Sequence, residues 1–381
     1  MRVLHTVEFY SPHVGGAERV VQRISEGLAA RGHEVVVATS WDPRRVQDMI
    51  NGVRVASFRV AGNRARGMRG DVGQYQDWLV RERFDVVLNY AAQAWPTDAA
   101  LDVLGRLTGV KVLATCGFSG LHGARRLLYR GYYRTLQTRI NEYDAVVYHS
   151  SLGADRAFGQ KHARGDQVIL PNGVDSNEFE SPGHAFRNTY GIRSRFLLLS
   201  VGNHYWVKAH GDLRWLAAGA LAGLDVTLVL VGDDPGGLRS CWRACARAAR
   251  RDQRIRVLRG IPRADVVAAY READVFLLSS RFEVAPLVLV EAMAAGTPFV
   301  SYDVGNAKEL SGGIVVGSRQ AMAEAVRALL GDEARRKALG DAGQTIQRQS
   351  LEWGAIVDQY ERLYARLVRT KGVPVHGGRT A

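Results

Sequence analysis

Glu283 and Glu291 stand eight residues apart in RFEVAPLVLVEAMAAGTPF, a stretch beginning at Arg281 that carries the most specific pattern in the chain. The apolar run Val275–Leu278 reads as a strand, Glu283 falls in the loop after it, and helix formers run on from Leu287 until Gly296 stops them. One acid thus precedes a helix start and the other lies on the helix itself. Unpaired amides and a partial positive charge of roughly half a unit gather at a helix N-terminus, which suits a diphosphate. Here that start is formed by Ala285, Pro286, Leu287 and Val288. Glu283 can then accept hydrogen bonds from the hydroxyls of a sugar, and Glu291 from those of a ribose. Two glutamates at this spacing mean little alone. Strand, Glu, helix, Glu, Gly, Pro in this order is far more specific.

The elements that must position these acids alternate along the chain. A short apolar run at 3–7, the loop SPHVGGAE and then Val20, Val21, Ile24 and Leu28 at helical spacing read as strand, glycine loop and helix. HEVVVAT at 33–39 supplies the next strand, so the chain opens with a βαβ unit and a parallel sheet. Strands follow at Val53–Phe58, 85–89, 110–115, 145–149 and 167–170. Pro, Gly, Asn and Ser crowd residues 171–194, which marks a linker. A second series begins with Phe196–Val201, 225–231, Ile255–Leu258, Val275–Leu278, 298–302 and Gly313–Val316. The expected class is α/β: two doubly wound domains facing each other across a cleft, with ligands beyond the carboxyl ends of the strands. The boundaries expected are a first domain at 1–178, a linker at 179–194, a second domain at 195–350, a helix at 351–369 packing back toward the first, and a mobile tail at 370–381.

Composition narrows the function. Apolar residues at 46% and charged residues at 23% exclude a disordered or fibrous chain and leave a packed enzyme or binding protein. The apolar runs are strand-sized, far short of the roughly 20 residues that span a bilayer. MRVLHTVEFY places His5 and Glu8 inside its apolar run without a cleavage pattern, so it reads as a first strand of a cytoplasmic protein. Three cysteines cannot make a disulfide framework, and Cys241 and Cys245, one helical turn apart, have no second ligand pair for zinc in view. No metal is therefore expected. The net charge of +13 favours anionic partners. It concentrates between Lys111 and Asn141, where Arg125, Arg126 and Arg130 alternate with Leu and Tyr and no acid occurs. Such a basic amphipathic helix suits an anionic membrane face or a phosphorylated acceptor, and equally a plain solvated face. No nucleic-acid-binding signature accompanies the charge.

The run from Arg281 resembles the Glu-seven-residues-Glu signature of retaining glycosyltransferases of the GT-B fold, more narrowly of glycosyltransferase family 4. It keeps Arg281, Phe282, Glu283, Leu287, Val288, Leu289, Glu291, Ala292, Met293, Ala294, Gly296 and Pro298 of the usual form. Other family marks stand in order: Gly15, Gly16 and Glu18; LPNGVDSNEF from Leu170; SVG at 200–202; VGD at 231–233; Gly260; and Trp353 and Tyr360. The similarity extends to about residue 369.

The resemblance implies a GT-B fold of two Rossmann-like domains and transfer of a hexose, with retention, from a nucleotide diphosphate sugar to a hydroxyl acceptor. Gly15 and Gly16 would let the backbone approach the donor diphosphate. Lys208 would neutralise the leaving diphosphate, and Glu283 would orient the sugar. The nucleoside would lie near Gly232, Arg259, Ile261 and Glu291. No Asp-x-Asp motif occurs, so the reaction is expected to need no metal and no cofactor beyond a UDP- or GDP-sugar as co-substrate. Departures from the family form are Asn203 for an arginine, Ala209 and Pro286 for glycines, and Cys116 for a loop histidine whose role His122 would take; His204 is a further phosphate candidate. The acceptor expected is lipid-linked, in surface polysaccharide or glycolipid synthesis, with peripheral contact at the inner membrane face. A soluble acceptor, a catalytically weak sugar-nucleotide-binding partner subunit and a sugar-nucleotide epimerase on the same fold stand as alternatives.

Overall fold

The computed structural model describes residues 1–13, 15–121, 126–180 and 185–373. The chain forms two compact units, one of Met1–Pro171 with the segment from Trp353 onward, the other of Asn172–Glu352. Each is built on a parallel sheet.

In the first unit the strands are β1 (Arg2–Thr6), β2 (Glu34–Ser40), β3 (Met49–Ile50), β4 (Val53–Phe58), a separate hairpin of β5 (Val60–Asn63) and β6 (Gly67–Gly70), then β7 (Val86–Tyr90), β8 (Val110–Ala114), β9 (Ala145–Tyr148) and β10 (Asp166–Ile169). The large sheet runs β10-β9-β8-β7-β1-β2-β4-β3, parallel except where β3 meets β4. The order reverses at β1, whose neighbours are β2 and β7. The C-terminal helix Trp353–Lys371 belongs to this unit, with Ile356, Tyr360 and Tyr364 buried. It lies close to the helix Gly16–Ala30, because a Cβ at Gly27 would stand 2.7 Å from Val357. His5 on β1 joins the two helices, its ring nitrogens 2.7 Å from the Ser25 hydroxyl and 3.1 Å from that of Tyr364. Complete burial lowers its pKa to about 3.

The second unit holds β11 (Phe196–Val201), β12 (Val226–Val231), β13 (Ile255–Leu258), β14 (Val275–Leu278), β15 (Phe299–Tyr302) and β16 (Gly313–Val316) in the order β13-β12-β11-β14-β15-β16, all parallel. This is the doubly wound order, with its reversal between β11 and β14. Strands covered on both faces read as unbroken apolar runs, and β12 is buried at every position.

Residues 172–194 are part of the second unit and not the linker that their turn-forming composition suggests. Two short helices, Ser176–Glu180 and Phe186–Thr189, sink Phe179 and Phe186 into its core. Glu272 accepts the Phe186 and Arg187 amides at 2.6 and 2.8 Å and fastens the second helix. Helices of four and five residues are too short to show periodicity, which is why the composition misled. At the other end the final helix continues to Lys371, two residues past the bound expected for it, and the Lys371 Nζ lies 2.9 Å from Asp144; residues 374–381 lie outside the described residues.

Candidate active site

Lys208 and Glu283 meet at the strand-order reversal of the second unit. The lysine Nζ donates to the Glu283 carboxylate at 2.6 Å, with the two side chains 25% and 15% exposed. Their meeting follows from topology. Lys208 lies in the loop after β11 and Glu283 in the loop after β14, and these neighbouring strands send their connections to opposite faces, leaving a crevice at their carboxyl ends.

The lysine loop is held from below and from the side. The Asn203 side chain accepts the Asp233 amide at 3.0 Å, Asp233 O accepts the His204 amide at 2.9 Å, and the Asp233 carboxylate accepts the Gly260 amide at 2.9 Å. The loops after β11, β12 and β13 are thereby laced together. Gly232 has no room for a side chain, since a Cβ would fall 2.1 Å from Gly202 O. The lysine stem passes over Gly202, where a Cβ would be 3.6 Å from Lys208 Cε. From the β14 side, Ser279 Oγ donates to Lys208 O at 2.7 Å and the Arg281 amide to Val207 O at 2.8 Å. Ala209, standing where the family form has glycine, is left-handed at φ +48°.

Glu283 leads into the helix Leu287–Ala294, whose N-cap is Pro286 and carries no side-chain cap. The first-turn amides are consequently the donors that an anion can use. Ala285 O accepts from the Asn172 side chain at 2.8 Å. Gly305 lies against this loop, because a Cβ there would stand 2.4 Å from Val284 O.

Glu291 is buried and ion-paired. Its carboxylate lies 2.8 Å from Arg263 Nη2, and the same guanidinium grips Glu178 through two bonds of 2.8 and 2.9 Å. Burial opposes the charge on Arg263, yet Glu178 and Glu291 outweigh it and raise its pKa. Arg263 and Glu178 escaped the sequence reading because no local pattern announces an ion pair between residues 85 apart.

The other candidates take separate places. Arg259 is exposed and its guanidinium stacks 4.9 Å over Trp242, whereas Ile261 packs partly buried against the second unit's core. Gly15 and Gly16 belong to the first unit, at the start of the helix after β1. A Cβ at Gly15 would strike the Glu18 carboxylate at 2.2 Å, while at Gly16 it would meet nothing within 4 Å. Cys116 lies two residues beyond β8 in a left-handed conformation at φ +51°, and burial pushes its thiol up to about 12. His204 is not available to a donor phosphate: it is fully buried, with Nδ1 3.8 Å from Cys241 Sγ and its ring against Trp242. His122 and Arg125 lie outside the described residues.

Arg126 and Arg130 are exposed on the helix Arg126–Arg139, whose other face buries Tyr129, Tyr132, Tyr133 and Leu136. Both arginines line a groove of about 590 Å³ with Arg134 and Lys161, and neighbouring Leu127 and Leu128 are largely exposed. Among the described residues no helix is long and apolar enough to cross a membrane.

Comparison with known proteins agrees with this architecture. The family model described as Glycosyltransferase Family 4 matches residues 14–178, and that described as Glycosyl transferases group 1 matches residues 195–332. The chain is 27% identical to the phosphatidyl-myo-inositol mannosyltransferase of Mycobacterium leprae, across 95% of each. Among solved structures, sucrose-phosphate synthase from Thermosynechococcus elongatus superposes with a TM-score of 0.80 at 19% identity, covering 97% of this chain and 99% of that one. Anabaena HepE in complex with UDP-glucose gives 0.76 at 19% identity, covering 96% and 100%. With one model on each half, a full-length relative and the doubly wound sheets in place, the chain belongs to glycosyltransferase family 4 and is a glycosyltransferase of the GT-B fold.

Proposed function

We propose that this enzyme transfers a hexose, with retention of anomeric configuration, from a UDP- or GDP-sugar to a hydroxyl of a lipid-linked acceptor in glycolipid or surface polysaccharide synthesis. The observation that carries the reading is the 2.6 Å contact of Lys208 with Glu283 at the carboxyl ends of adjacent strands. A cation and a carboxylate held together there match the two ends of an activated sugar, the diphosphate and the hydroxyls.

The chemistry follows from charge. As the bond from the anomeric carbon to the phosphate oxygen breaks, negative charge grows on the diphosphate. Lys208 and the first-turn amides of Leu287 and Val288 stabilise it, supplying fixed positive charge where other transferases use a metal. Glu283 accepts hydrogen bonds from the sugar hydroxyls, and Glu291, oriented by Arg263, accepts from the ribose. The acceptor attacks from the face that the diphosphate leaves, and a departing phosphate oxygen takes its proton, so no protein nucleophile is required. In the donor-free protein Lys208 and Glu283 satisfy each other; donor binding exchanges that pair for phosphate and hydroxyl contacts.

Two observations support the acceptor class. The relative from Mycobacterium leprae is named for a phosphatidyl-inositol acceptor, and the groove beside Arg126 and Arg130 presents cations next to exposed leucines. That combination suits anionic headgroups at a membrane face, where contact would be peripheral. Turnover of UDP- and GDP-hexoses with the product anomer assigned by proton NMR tests the reaction. Retention is expected; an inverted product, or no turnover and no donor hydrolysis with any sugar nucleotide, would overturn it.

A further inference from the structure

Behind the Lys208 turn, four soft donor groups converge. His204 and His210 flank Lys208 on the chain, and Cys241 and Cys245 open the helix Trp242–Arg251. All four side chains are buried, and one ligand atom from each lies within 4.8 Å of the others. Cys241 Sγ is 3.4 Å from His210 Nδ1 and 3.8 Å from His204 Nδ1. Zinc bonds of about 2.3 Å to sulfur and about 2.0–2.1 Å to nitrogen, at tetrahedral angles, place sulfur and nitrogen about 3.5 Å apart. The two observed separations bracket that value.

Without a metal the cluster is poorly satisfied. Both imidazoles direct their Nδ1 at the single sulfur of Cys241, which has one hydrogen to share between them. Buried polar groups are rarely left so. The topology explains how the ligands assemble: the histidines follow β11 and the cysteines follow β12, and these adjacent parallel strands release both loops at one end of the sheet. No local pattern links the cysteine pair to histidines more than thirty residues upstream.

We propose that His204, His210, Cys241 and Cys245 bind one zinc ion as a closed structural site that fixes the turn carrying Lys208. Two thiolates and two neutral imidazoles give the tetrahedral sulfur and nitrogen set that zinc prefers. Binding converts both thiols to thiolates and releases their protons to solvent, so the buried centre carries no net charge. The main chain is already prepared: the Cys241 amide donates to His204 O at 2.7 Å, and Tyr205 bridges Ser240. Trp242 closes one side against the His204 ring, 5.0 Å between centroids. The ion acts as a positioning element and touches no substrate; only this consequence rests on the role proposed for Lys208.

Elemental analysis of the full chain, purified without added metal or chelator, tests the site directly. About one zinc per chain is expected. Cys245→Ser and His210→Asn should each lower zinc affinity at least 100-fold, beyond the roughly 10–100-fold that outer-shell changes cost. Should these variants fail to fold, cobalt added to the chelator-stripped parent gives a second measurement: intense visible bands of a tetrahedral ion with a thiolate-to-metal charge-transfer band are expected. A parent that neither retains zinc nor competes for it with a chelating dye overturns the proposal, as do cobalt bands of an octahedral, thiolate-free ion. Zinc content unchanged in folded variants does so too. Metal content is read apart from turnover, so failure of the site and failure of the transferase reading are distinguishable.

Discussion

Replacing Arg263 with methionine removes the cation that joins Glu178 to Glu291 while keeping most of the aliphatic stem. Taking one partner from a fully buried ion pair costs roughly 3–5 kcal/mol, because the remaining charge stays desolvated. Here the environment is uneven. The side chain of Glu291 is only 6% exposed, whereas those of Arg263 and Glu178 are 32% and 24% exposed. The Glu178 half recovers by solvation and is discounted, leaving about 2–3 kcal/mol, almost all from Glu291. For a unit of this size that lowers the melting midpoint by roughly 5–10 °C. Differential scanning calorimetry of Arg263→Met, Glu291→Gln and the double variant provides the cycle. The double variant should be more stable than Arg263→Met, since the buried side chain no longer carries a charge. Arg263→Met within about 0.5 kcal/mol of the parent, or strictly additive losses, would refute the reasoning.

His5 gives the first unit a pH dependence of definite sign. Its folded pKa of about 3 lies below the ordinary 6.5, so its stabilisation is complete above pH 6.5 and drains away as pH falls toward 3. The slope reaches about 1.4 kcal/mol per pH unit, and urea unfolding of His5→Asn should show a flatter profile than the parent over that window; equal slopes would contradict the assignment. Flotation with vesicles containing anionic lipid should recover the parent protein, and recovery should fall severalfold for Arg126→Ala/Arg130→Ala and in high salt. A parent that stays in the soluble fraction would remove the membrane contact.

Much of the site was legible because chemistry and topology are written locally. The strand Val275–Leu278, the acid after it and the helix from Leu287 occupy one continuous stretch, and both the run and its length are strong signals. The strand Phe196–Val201 was equally plain, since a parallel strand covered on both faces leaves an apolar run. What stayed hidden is what the fold brings from a distance. Arg263 reaches Glu178 and Glu291 only after β13 and β14 are placed in the sheet, and the two histidines meet the two cysteines only because β11 lies beside β12. The segment 172–194 was misread for another reason: its core anchors Phe179 and Phe186 sit among turn residues, in helices shorter than any period can register. The hairpin Val60–Asn63 with Gly67–Gly70 likewise lacks apolar alternation: Val60 is buried and Met68 packs partly buried against the core, among glycines and polar residues.

Lys208→Ala, followed by steady-state turnover together with nucleotide affinity from calorimetric titration, tests the central claim most directly. If Lys208 answers the charge that develops on the leaving diphosphate, kcat should fall by about 10²–10³-fold while the Kd for the nucleoside diphosphate changes far less. Equal losses in both quantities, or a kcat that survives the substitution, would contradict it.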